Sequence, residues 1–420
     1  MGWTPILLSS KLADESWRSV YAIAEAVVRH EYLPSIYRRP GDKCGEALLF
    51  GYLALSTNEG GAWVEQTESC SNAAIEDAES LAGSTALYGG LSGLGWTVEH
   101  LCRAFGQDEG SGIDLNGDID SAILLQLARR EWPGPYDLVY GLVGVGIYFL
   151  ERLPCEAACR GIRLVMDHLE ALSQWTDEGL TWLTRPELLS DAEREYFIGG
   201  NYNLGCAHGI PGILYLLNEV AVTSIDCRAA DLLEHAMRWF IARKRPTGSL
   251  SWFSSFYSAS VQSDDSRLGW CYGDLGILTV LLQIARRTGR EDWREFAQNL
   301  LEHCLAWPPE RAQVNDAPLC HGAAGVAHLF NRIYHTEGDV RCREASLKWF
   351  ERALGMRRPG EGVGGFFARA TRGLDARVVW DPNPAFLDGS IGIALALLAG
   401  LCPIEPRWDR LLLASGFGGG

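Results

Sequence analysis

The amino-acid sequence predicts an all-α protein built from a repeated pair of helices. The chain contains 47 glycines among 420 residues, although little of it is of low complexity. Many of these glycines fall in a recurring Gly-x-x-Gly pattern, and each copy leads into a nearly all-apolar run. Amphipathic stretches lie between the copies. Successive copies are about 45 to 68 residues apart, which is enough for two helices and their connections.

Six copies of the glycine pattern are clear. Their paired glycines are Gly90 and Gly93, Gly141 and Gly144, Gly209 and Gly212, Gly273 and Gly276, Gly322 and Gly325, and Gly389 and Gly392. A weaker seventh copy around Gly45 lacks the second glycine. Because the segments that follow these glycines are nearly all apolar, we expect them to be helices buried on every side.

The stretches between the copies place apolar residues three or four positions apart, which predicts helices with one buried face. The clearest are Ala157 to Leu172, Ala229 to Lys244, Glu291 to Leu305 and Arg341 to Leu354. A double ring is the expected arrangement, with the glycine-led helices inside and the amphipathic helices outside. An open solenoid is the alternative, since periodicity alone does not establish that the ring closes.

The connections between the repeats are less regular. Residues 176–205 and 307–318 are rich in Trp, Pro and Asn and predict rim loops, whereas the aromatic stretch 247–265 suits either a strand or a loop. We expect one domain over residues 1–415, with room for a small inserted subdomain within 150–205. The glycine-rich residues 416–420 predict a flexible tail.

Composition excludes several classes of protein. The chain has 53 acidic and 37 basic residues, a net charge of −16, which argues against a nucleic-acid partner because few cations would replace phosphate counterions. The N-terminus lacks the basic and apolar regions of a secretory signal. The longest apolar stretch, Ile391 to Ile404, is shorter than the roughly 20 residues of a membrane-spanning helix. Twelve dispersed cysteines favour reduced thiols and a cytoplasmic location.

The residues just before the first glycine of each copy have side chains suited to chemistry. The residue one position before it is, in five copies, Tyr140, His208, Tyr272, His321 and Asp388. Two positions before it stand Cys271 in one copy and Cys320 in the next. If every copy builds the same turn, these side chains converge at one rim of the inner ring.

Two thiolates and one imidazole are suitable ligands for zinc, and three protein ligands leave the fourth position open for catalysis. Cys271, Cys320 and His321 are therefore candidate ligands. The alternative is that the cysteines are ordinary core residues and that the histidine is a hydrogen-bonded polar residue. Spacing leaves both interpretations open, because convergence depends on closure of the ring.

Three motifs in these positions resemble the signature of the lanthionine synthetase C-like family. They are Trp270-Cys271-Tyr272-Gly273, Cys320-His321-Gly322 and Ala207-His208-Gly209, and the resemblance extends over almost the whole chain. It implies an α,α-toroid of about seven helix pairs. It also implies a stand-alone cyclase of class I lanthipeptides, lantibiotics included, because no dehydratase or kinase segment accompanies the repeats. The implied cofactor is one zinc ion per chain, bound by Cys271, Cys320 and His321.

The resemblance also implies catalytic residues. His208 matches the acid/base histidine of the family, Asp137 matches a carboxylate beside it, and Arg267 and Tyr272 match the remaining polar residues of the active site. The implied reaction is a Michael addition of a peptide thiol to dehydroalanine or dehydrobutyrine. A free thiol is mostly protonated at neutral pH, so zinc would supply the thiolate, and an imidazole would protonate the resulting enolate.

The resemblance implies a dehydrated precursor peptide, leader plus core, as the substrate. A dehydratase and an exporter are candidate members of a biosynthetic complex. A second hypothesis is a non-catalytic zinc protein that binds thiols such as glutathione, or peptides. A third is another toroid enzyme, either a zinc-dependent prenyltransferase subunit or a glycosidase. A glycosidase would need paired carboxylates, and only Asp137 and Asp388, in distant copies, offer themselves.

Overall fold

The computed structural model describes residues 2–29, 42–57, 60–106, 114–258, 261–262, 264–372 and 377–417. Most of these residues are helical, and the strands among them form three two-stranded antiparallel sheets. None of the helices in the described ranges combines the length and the apolarity that crossing a bilayer requires.

The helices and strands are named in chain order. The helices are α1 (Ser10–Val28), α2 (Asp42–Ser56), α3 (Gly60–Glu76), α4 (Ala78–Leu81), α5 (Leu91–Ala104), α6 (Gly117–Leu127), α7 (Leu142–Glu151), α8 (Glu156–Leu172), α9 (Asp191–Tyr196), α10 (Ile210–Thr223), α11 (Ala229–Ile241), α12 (Asp274–Thr288), α13 (Glu291–Leu305), α14 (Ala323–Glu337), α15 (Val340–Gly355) and α16 (Ser390–Leu401). Short 3-10 helices are Pro186–Leu188, Pro309–Arg311 and Arg407–Leu412. The strands are β1 (Ser173–Thr176), β2 (Gly179–Trp182), β3 (Tyr202–Asn203), β4 (Phe256–Tyr257), β5 (Ala368–Arg372) and β6 (Arg377–Asp381).

The two predicted classes of helix are present. Every residue of α7 is buried, and so is every residue of α16 from Ser390 to Gly400, as expected for helices surrounded by protein. By contrast, α8, α11, α13 and α15 bury one face each, and their bounds lie within about three residues of the predicted amphipathic stretches. The prediction of an all-α repeat is therefore confirmed.

The glycine pattern has a physical cause in the turn that precedes each buried helix. Before α14, the carbonyl of Asp316 accepts a hydrogen bond from Ala323 N–H at 2.8 Å, and that of Ala317 accepts one from Ala324 N–H at 2.9 Å. The loop thus satisfies amide groups that a helix N-terminus leaves without partners. This close approach excludes a side chain, since a Cβ on Gly325 would overlap the carbonyl oxygen of Leu319.

The same turn recurs in other copies. Leu91 N–H at the start of α5 donates to the carbonyl of Ser84 at 2.9 Å, and Ser390 N–H at the start of α16 donates to the carbonyl of Asn383 at 2.9 Å. In each case the acceptor stands six residues before the first glycine. Corresponding positions of these three copies are therefore structurally equivalent, and one of the three holds Cys320 and His321.

The chain divides into two compact units, which are residues 1–77, 268–270 and 305–408, and residues 78–267, 271–304 and 409–420. In the first unit α14 packs against α15 and α16, and α16 packs against α1 and α2. In the second, α7 packs against α5, α8 and α10, and α10 packs against α11 and α12. Within each unit a glycine-led helix thus contacts both another glycine-led helix and an amphipathic one. A single domain over residues 1–415 stays a prediction.

The irregular connections contain the short strands of the second unit. The hairpin β1–β2 pairs Ser173 with Trp182, and β3 pairs with β4 through Tyr202 and Tyr257. The region predicted as rim loop 176–205 therefore includes strands and the short helix α9. Of the aromatic stretch 247–265, Phe256–Tyr257 form β4, and residues 259–260 and 263 lie outside the described residues.

The C-terminal residues of the second unit pack against its helices. Tyr215 Oη donates to the carbonyl of Ser415 at 2.6 Å, and Phe417 N–H donates to Glu219 Oε2 at 2.9 Å. Of the predicted tail 416–420, residues 418–420 lie outside the described residues.

Candidate metal and acid–base site

The loops before α12 and α14 hold the three predicted metal ligands. Trp270 N–H donates to the carbonyl of Cys320 at 3.2 Å, and Cys271 is the next residue after Trp270. The sulfur atoms of Cys271 and Cys320 and an imidazole nitrogen of His321 all lie within 4.8 Å of one another. Cys271 is buried, whereas the other two residues are half-buried.

The chemistry and spacing of these three groups fit a zinc ion. Zinc binds thiolate sulfur at about 2.3 Å in tetrahedral geometry, so the ligand atoms around one ion stand roughly 3.8 Å apart. Separations of at most 4.8 Å come close to that value, and small side-chain rotations would close the difference. Two sulfurs and one nitrogen would leave one coordination position for a substrate.

A carboxylate that the sequence analysis did not single out lies beside His321. Oδ2 of Asp316 is 3.7 Å from Nε2 of His321, and the same oxygen accepts a hydrogen bond from Arg369 N–H at 3.1 Å. Asp316 is almost fully buried. Carboxylates in such positions orient metal-binding histidines and raise their basicity, so Asp316 is suited to support His321.

The second unit contains a histidine–carboxylate pair. His208 Nδ1 and Asp137 Oδ2 are 2.7 Å apart, and the other oxygen of Asp137 accepts a hydrogen bond from Tyr140 N–H at 2.7 Å. Asp137 is buried, whereas about a third of the His208 side chain is exposed. The carboxylate therefore holds the Nδ1 side of the ring, which leaves Nε2 as the nitrogen that can exchange a proton with a substrate.

Two tyrosine rings flank this imidazole. The ring centroids of Tyr140 and His208 are 5.7 Å apart at 27°, and those of His208 and Tyr272 are 6.3 Å apart at 29°. Tyr140 is exposed. Burial raises the pKa of Tyr272 above its ordinary value, so its phenol stays protonated at neutral pH. Cys271 lies near His208, because the N–H of Ala207, the residue before His208, donates to the Cys271 carbonyl at 3.4 Å.

Asn203, in β3, is a second residue that sequence reasoning missed. Its Nδ2 donates to Tyr272 Oη at 3.0 Å, and its Oδ1 accepts from Gly205 N–H at 3.0 Å. A signal for it was available in the repeat. Counting six residues back from the first glycine gives Asn203, Arg267, Asp316 and Asn383 in the last four copies, so a second position of those copies supplies polar side chains.

The contacts of Arg267 and Asp388 do not assign either residue to a site. Arg267 forms a parallel β-bridge with Gly273 and is half-buried. Its side chain makes no hydrogen bond or ion pair with another residue in the part of the chain that the structure describes. The carbonyl of Asp388 accepts a hydrogen bond from Asn383 Nδ2 at 3.1 Å. The catalytic assignment of Arg267 stays a prediction.

Among the curated proteins to which the chain is similar, two match different shares of it. The chain is 28% identical over 140 residues to "Glutathione S-transferase LANCL1" of Danio rerio, which is 33% of this chain and 32% of that protein. It is 22% identical over 284 residues to "Nisin biosynthesis protein NisC" of Lactococcus lactis subsp. lactis, which is 61% of this chain and 64% of that protein. The matches thus span less than two thirds of either relative.

A solved structure and a family model match more of the chain. The structure titled "Nisin cyclase" superposes with a TM-score of 0.70 at 18% identity, covering 94% of this chain and 96% of that one. This likeness concerns the fold, and it confirms the predicted class, because nisin cyclase is an α,α-toroid. The model of "Lanthionine synthetase C-like protein" matches residues 43–413. The chain therefore belongs to the lanthionine synthetase C-like family.

Proposed function

We propose that this protein is a zinc-dependent lanthionine cyclase, which adds cysteine thiols of a dehydrated peptide to dehydroalanine or dehydrobutyrine. The observation that carries the proposal is the 2.7 Å pair of His208 and Asp137 in a chain that also brings two thiols and an imidazole within 4.8 Å. Family membership supports it, as does the likeness to proteins named for nisin biosynthesis and nisin cyclisation.

The proposed cofactor is one zinc ion per chain, held by Cys271, Cys320 and His321. When bound, the ion would lower the pKa of a substrate thiol so that it is a thiolate at neutral pH. The two protein thiolates offset the positive charge at this position, and that charge balance leaves an added sulfur electron-rich and nucleophilic. A set of three neutral histidines would favour activation of water instead.

The remaining steps transfer protons and stabilise the negative charge of the enolate. The thiol gives its proton to solvent, a carbon–sulfur bond forms at Cβ, and the electron pair of the double bond moves to the carbonyl oxygen as an enolate. The α-carbon then takes up a proton, so the peptide keeps its mass. His208, through Nε2, is the proposed donor, and Asp137 stabilises the charged imidazole through Nδ1. The hydroxyl of Tyr272 and the guanidinium of Arg267 are proposed to hydrogen-bond the enolate oxygen.

The proposed substrate is a precursor peptide with a leader and a dehydrated core, and a dehydratase and an exporter are candidate partners. A cytoplasmic location remains our expectation. All 12 cysteines are free thiols, and a reducing compartment would keep the proposed ligands able to bind zinc.

A second candidate function is binding or transfer of the glutathione thiol. The Danio rerio relative carries the name of a glutathione S-transferase, and a zinc ion held by two thiolates and an imidazole would accept either kind of thiol. In this case the thiol of glutathione, rather than a cysteine of the substrate peptide, would add to the dehydrated residue. Alternatively, the protein would only bind glutathione.

The test is incubation of the zinc-loaded protein with a dehydrated precursor peptide, followed by alkylation of the remaining thiols and mass spectrometry. Cyclisation alone leaves the mass unchanged, so we expect fewer alkylated thiols than in a reaction without protein. Added glutathione separates the two functions, because its transfer would increase the peptide mass. The zinc-depleted protein is the control. An unchanged number of alkylated thiols across several dehydrated peptides would contradict the proposal.

A further inference from the structure

The amide of Asn203 makes two hydrogen bonds whose directions are linked. Its Oδ1 accepts from the backbone N–H of Gly205, and its Nδ2 lies 3.0 Å from the hydroxyl oxygen of Tyr272. A backbone N–H can only donate, so the amide oxygen must face Gly205. The NH₂ group must then face Tyr272, because the two ends of the amide point in opposite directions.

This arrangement determines what the Tyr272 hydroxyl can do. An amide NH₂ only donates, so the phenol oxygen accepts the hydrogen bond from Asn203. The single phenol proton must therefore point elsewhere. Among the residues that the structure describes, no second hydrogen-bond partner of Tyr272 Oη is present, so none of them competes with a substrate oxygen for that proton.

The position of Asn203 is held from both sides by the fold. It pairs with Phe256 across the β3–β4 sheet, and its carbonyl lies against Gly209, where a side chain would overlap it. Asn383 provides a matched case in another copy, because its Oδ1 accepts from Ala385 N–H at 2.9 Å and its Nδ2 donates to the Asp388 carbonyl. The turn thus orients an amide in both copies, but only Asn203 directs it at a tyrosine hydroxyl.

We propose that Asn203 is a positioning residue. By donating to the oxygen of the Tyr272 hydroxyl, it directs the hydroxyl proton toward the substrate oxygen that becomes negative during thiol addition. The proposal rests on the proposed cyclase function. It differs from a purely structural role for Asn203, because the direction of one hydrogen bond, and not only the shape of the loop, is what the reaction requires.

Asn203→Asp is the decisive variant, because a carboxylate keeps the shape and the bond from Gly205 but reverses the bond to Tyr272. The hydroxyl would then donate to the new carboxylate and be lost to the substrate. We expect kcat to fall by about 10²–10³-fold, as for loss of an oxyanion donor, with KM changed far less. Tyr272→Phe should show the same loss, and the double variant should lose no more than either single variant.

Asn203→Ala distinguishes the effect of hydrogen-bond direction from the effect of loop shape. It removes both hydrogen bonds of the side chain but leaves the Tyr272 proton free to rotate toward the substrate. We expect a smaller loss of kcat than in Asn203→Asp. If Asn203 only supports the loop, the order reverses, since the aspartate preserves the turn and the alanine does not. A lower kcat for Asn203→Ala than for Asn203→Asp, or additive losses in the double variant, would overturn the proposal.

The matched control is Asn383→Asp, which tests what a reversed amide bond does in the equivalent turn away from Tyr272. It should leave kcat unchanged at equal zinc content. The tyrosine Raman doublet, in difference spectra against Tyr272→Phe, gives a readout that needs no turnover. The parental protein should show a phenol that accepts a hydrogen bond, and Asn203→Asp one that donates. Donor character already in the parental protein refutes this inference alone, whereas a parental protein without cyclase activity refutes the proposed function.

Discussion

His208 and Asp137 belong to successive copies of the repeat, 71 residues apart in the chain, yet they form one of the shortest side-chain pairs around the site at 2.7 Å. Both oxygens of the carboxylate are engaged, one by the imidazole and one by Tyr140 N–H. The imidazole therefore has one fixed nitrogen and one that faces outward. A proton donor needs this arrangement, in which one ring nitrogen is held and the other is exposed. A histidine with only a packing role would not require it.

The first prediction concerns this pair. His208→Asn should reduce thioether formation by roughly 10²–10⁴-fold, the usual effect of losing an acid/base group, while zinc remains bound. Asp137→Asn should act in the same direction but less strongly, because it only orients and charges the imidazole. Cyclisation rates on a dehydrated peptide and zinc content measured by elemental analysis check both variants.

Tyr140→Phe is the matched control for this pair, since the backbone N–H that binds Asp137 is retained. It should stay close to the parental rate. A His208→Asn protein that cyclises as fast as the parental chain would remove His208 from the mechanism.

The junction between each loop and its glycine-led helix is the structural element that places the site. Loop carbonyls cap the first amides of the helix, and the residues that precede the first glycine are thereby held at the helix N-terminus. At α14 this junction includes Cys320 and His321, and Gly325 is the position where the loop backbone comes closest. Strain at Gly325 should therefore displace two of the proposed metal ligands.

The second prediction tests this element with a pair of glycine substitutions. Gly325→Ala should destabilise the protein by about 1–3 kcal/mol, because the new methyl overlaps the carbonyl of Leu319 and the backbone must move. It should also weaken zinc binding. Gly61→Ala, in α3, meets no atom within 4 Å and should be neutral or stabilising by up to about 1 kcal/mol, since alanine favours helix.

Urea denaturation of both variants and zinc competition with a chromophoric chelator are the measurements. Equal stability of the two alanine variants would mean that the close approach at Gly325 is not required.

At the scale of the whole molecule, stability comes from apolar burial and not from the proposed metal. The largest fully buried side chains include Trp96, Trp182, Trp239, Trp270 and Trp408. They lie in α5, in β2, in α11, in the loop before α12 and in the last 3-10 helix, and each unit contains at least two of them. A core of this extent buries far more surface than three ligands could, and burial is the dominant favourable contribution to folding.

The third prediction follows from this core. Removal of zinc by a chelator should leave the helical circular dichroism spectrum nearly unchanged, with a lower melting temperature because a ligand of the native state has been removed. Cys271→Ala, Cys320→Ala and His321→Ala should each lower zinc occupancy while keeping the fold. Cys342→Ala, at a buried cysteine outside the proposed ligand set, is the control for loss of a core thiol and should keep its zinc.

Full zinc retention in all three ligand variants would contradict the assignment. Loss of helical signal on chelation would show that the metal is needed for folding.

The sequence by itself determined the helical classes, their approximate bounds and the positions before the glycines at which chemistry is concentrated. These features depend on local periodicity and on a turn that several copies build in the same way, so a pattern in the chain is enough to reveal them. Spacing alone made Cys271, Cys320 and His321 candidates for one site but left their convergence open, because periodicity does not determine how the copies curve.

Only the tertiary structure decided which polar groups meet. The bond from Asn203 to Tyr272 joins residues 69 apart, and the bond that Asp316 accepts from Arg369 N–H joins residues 53 apart. Both residues stand six positions before a first glycine, so the repeat marks the position as polar, but it does not show which partner each side chain meets. Which of these groups come within hydrogen-bond distance depends on how segments far apart in the chain pack against one another.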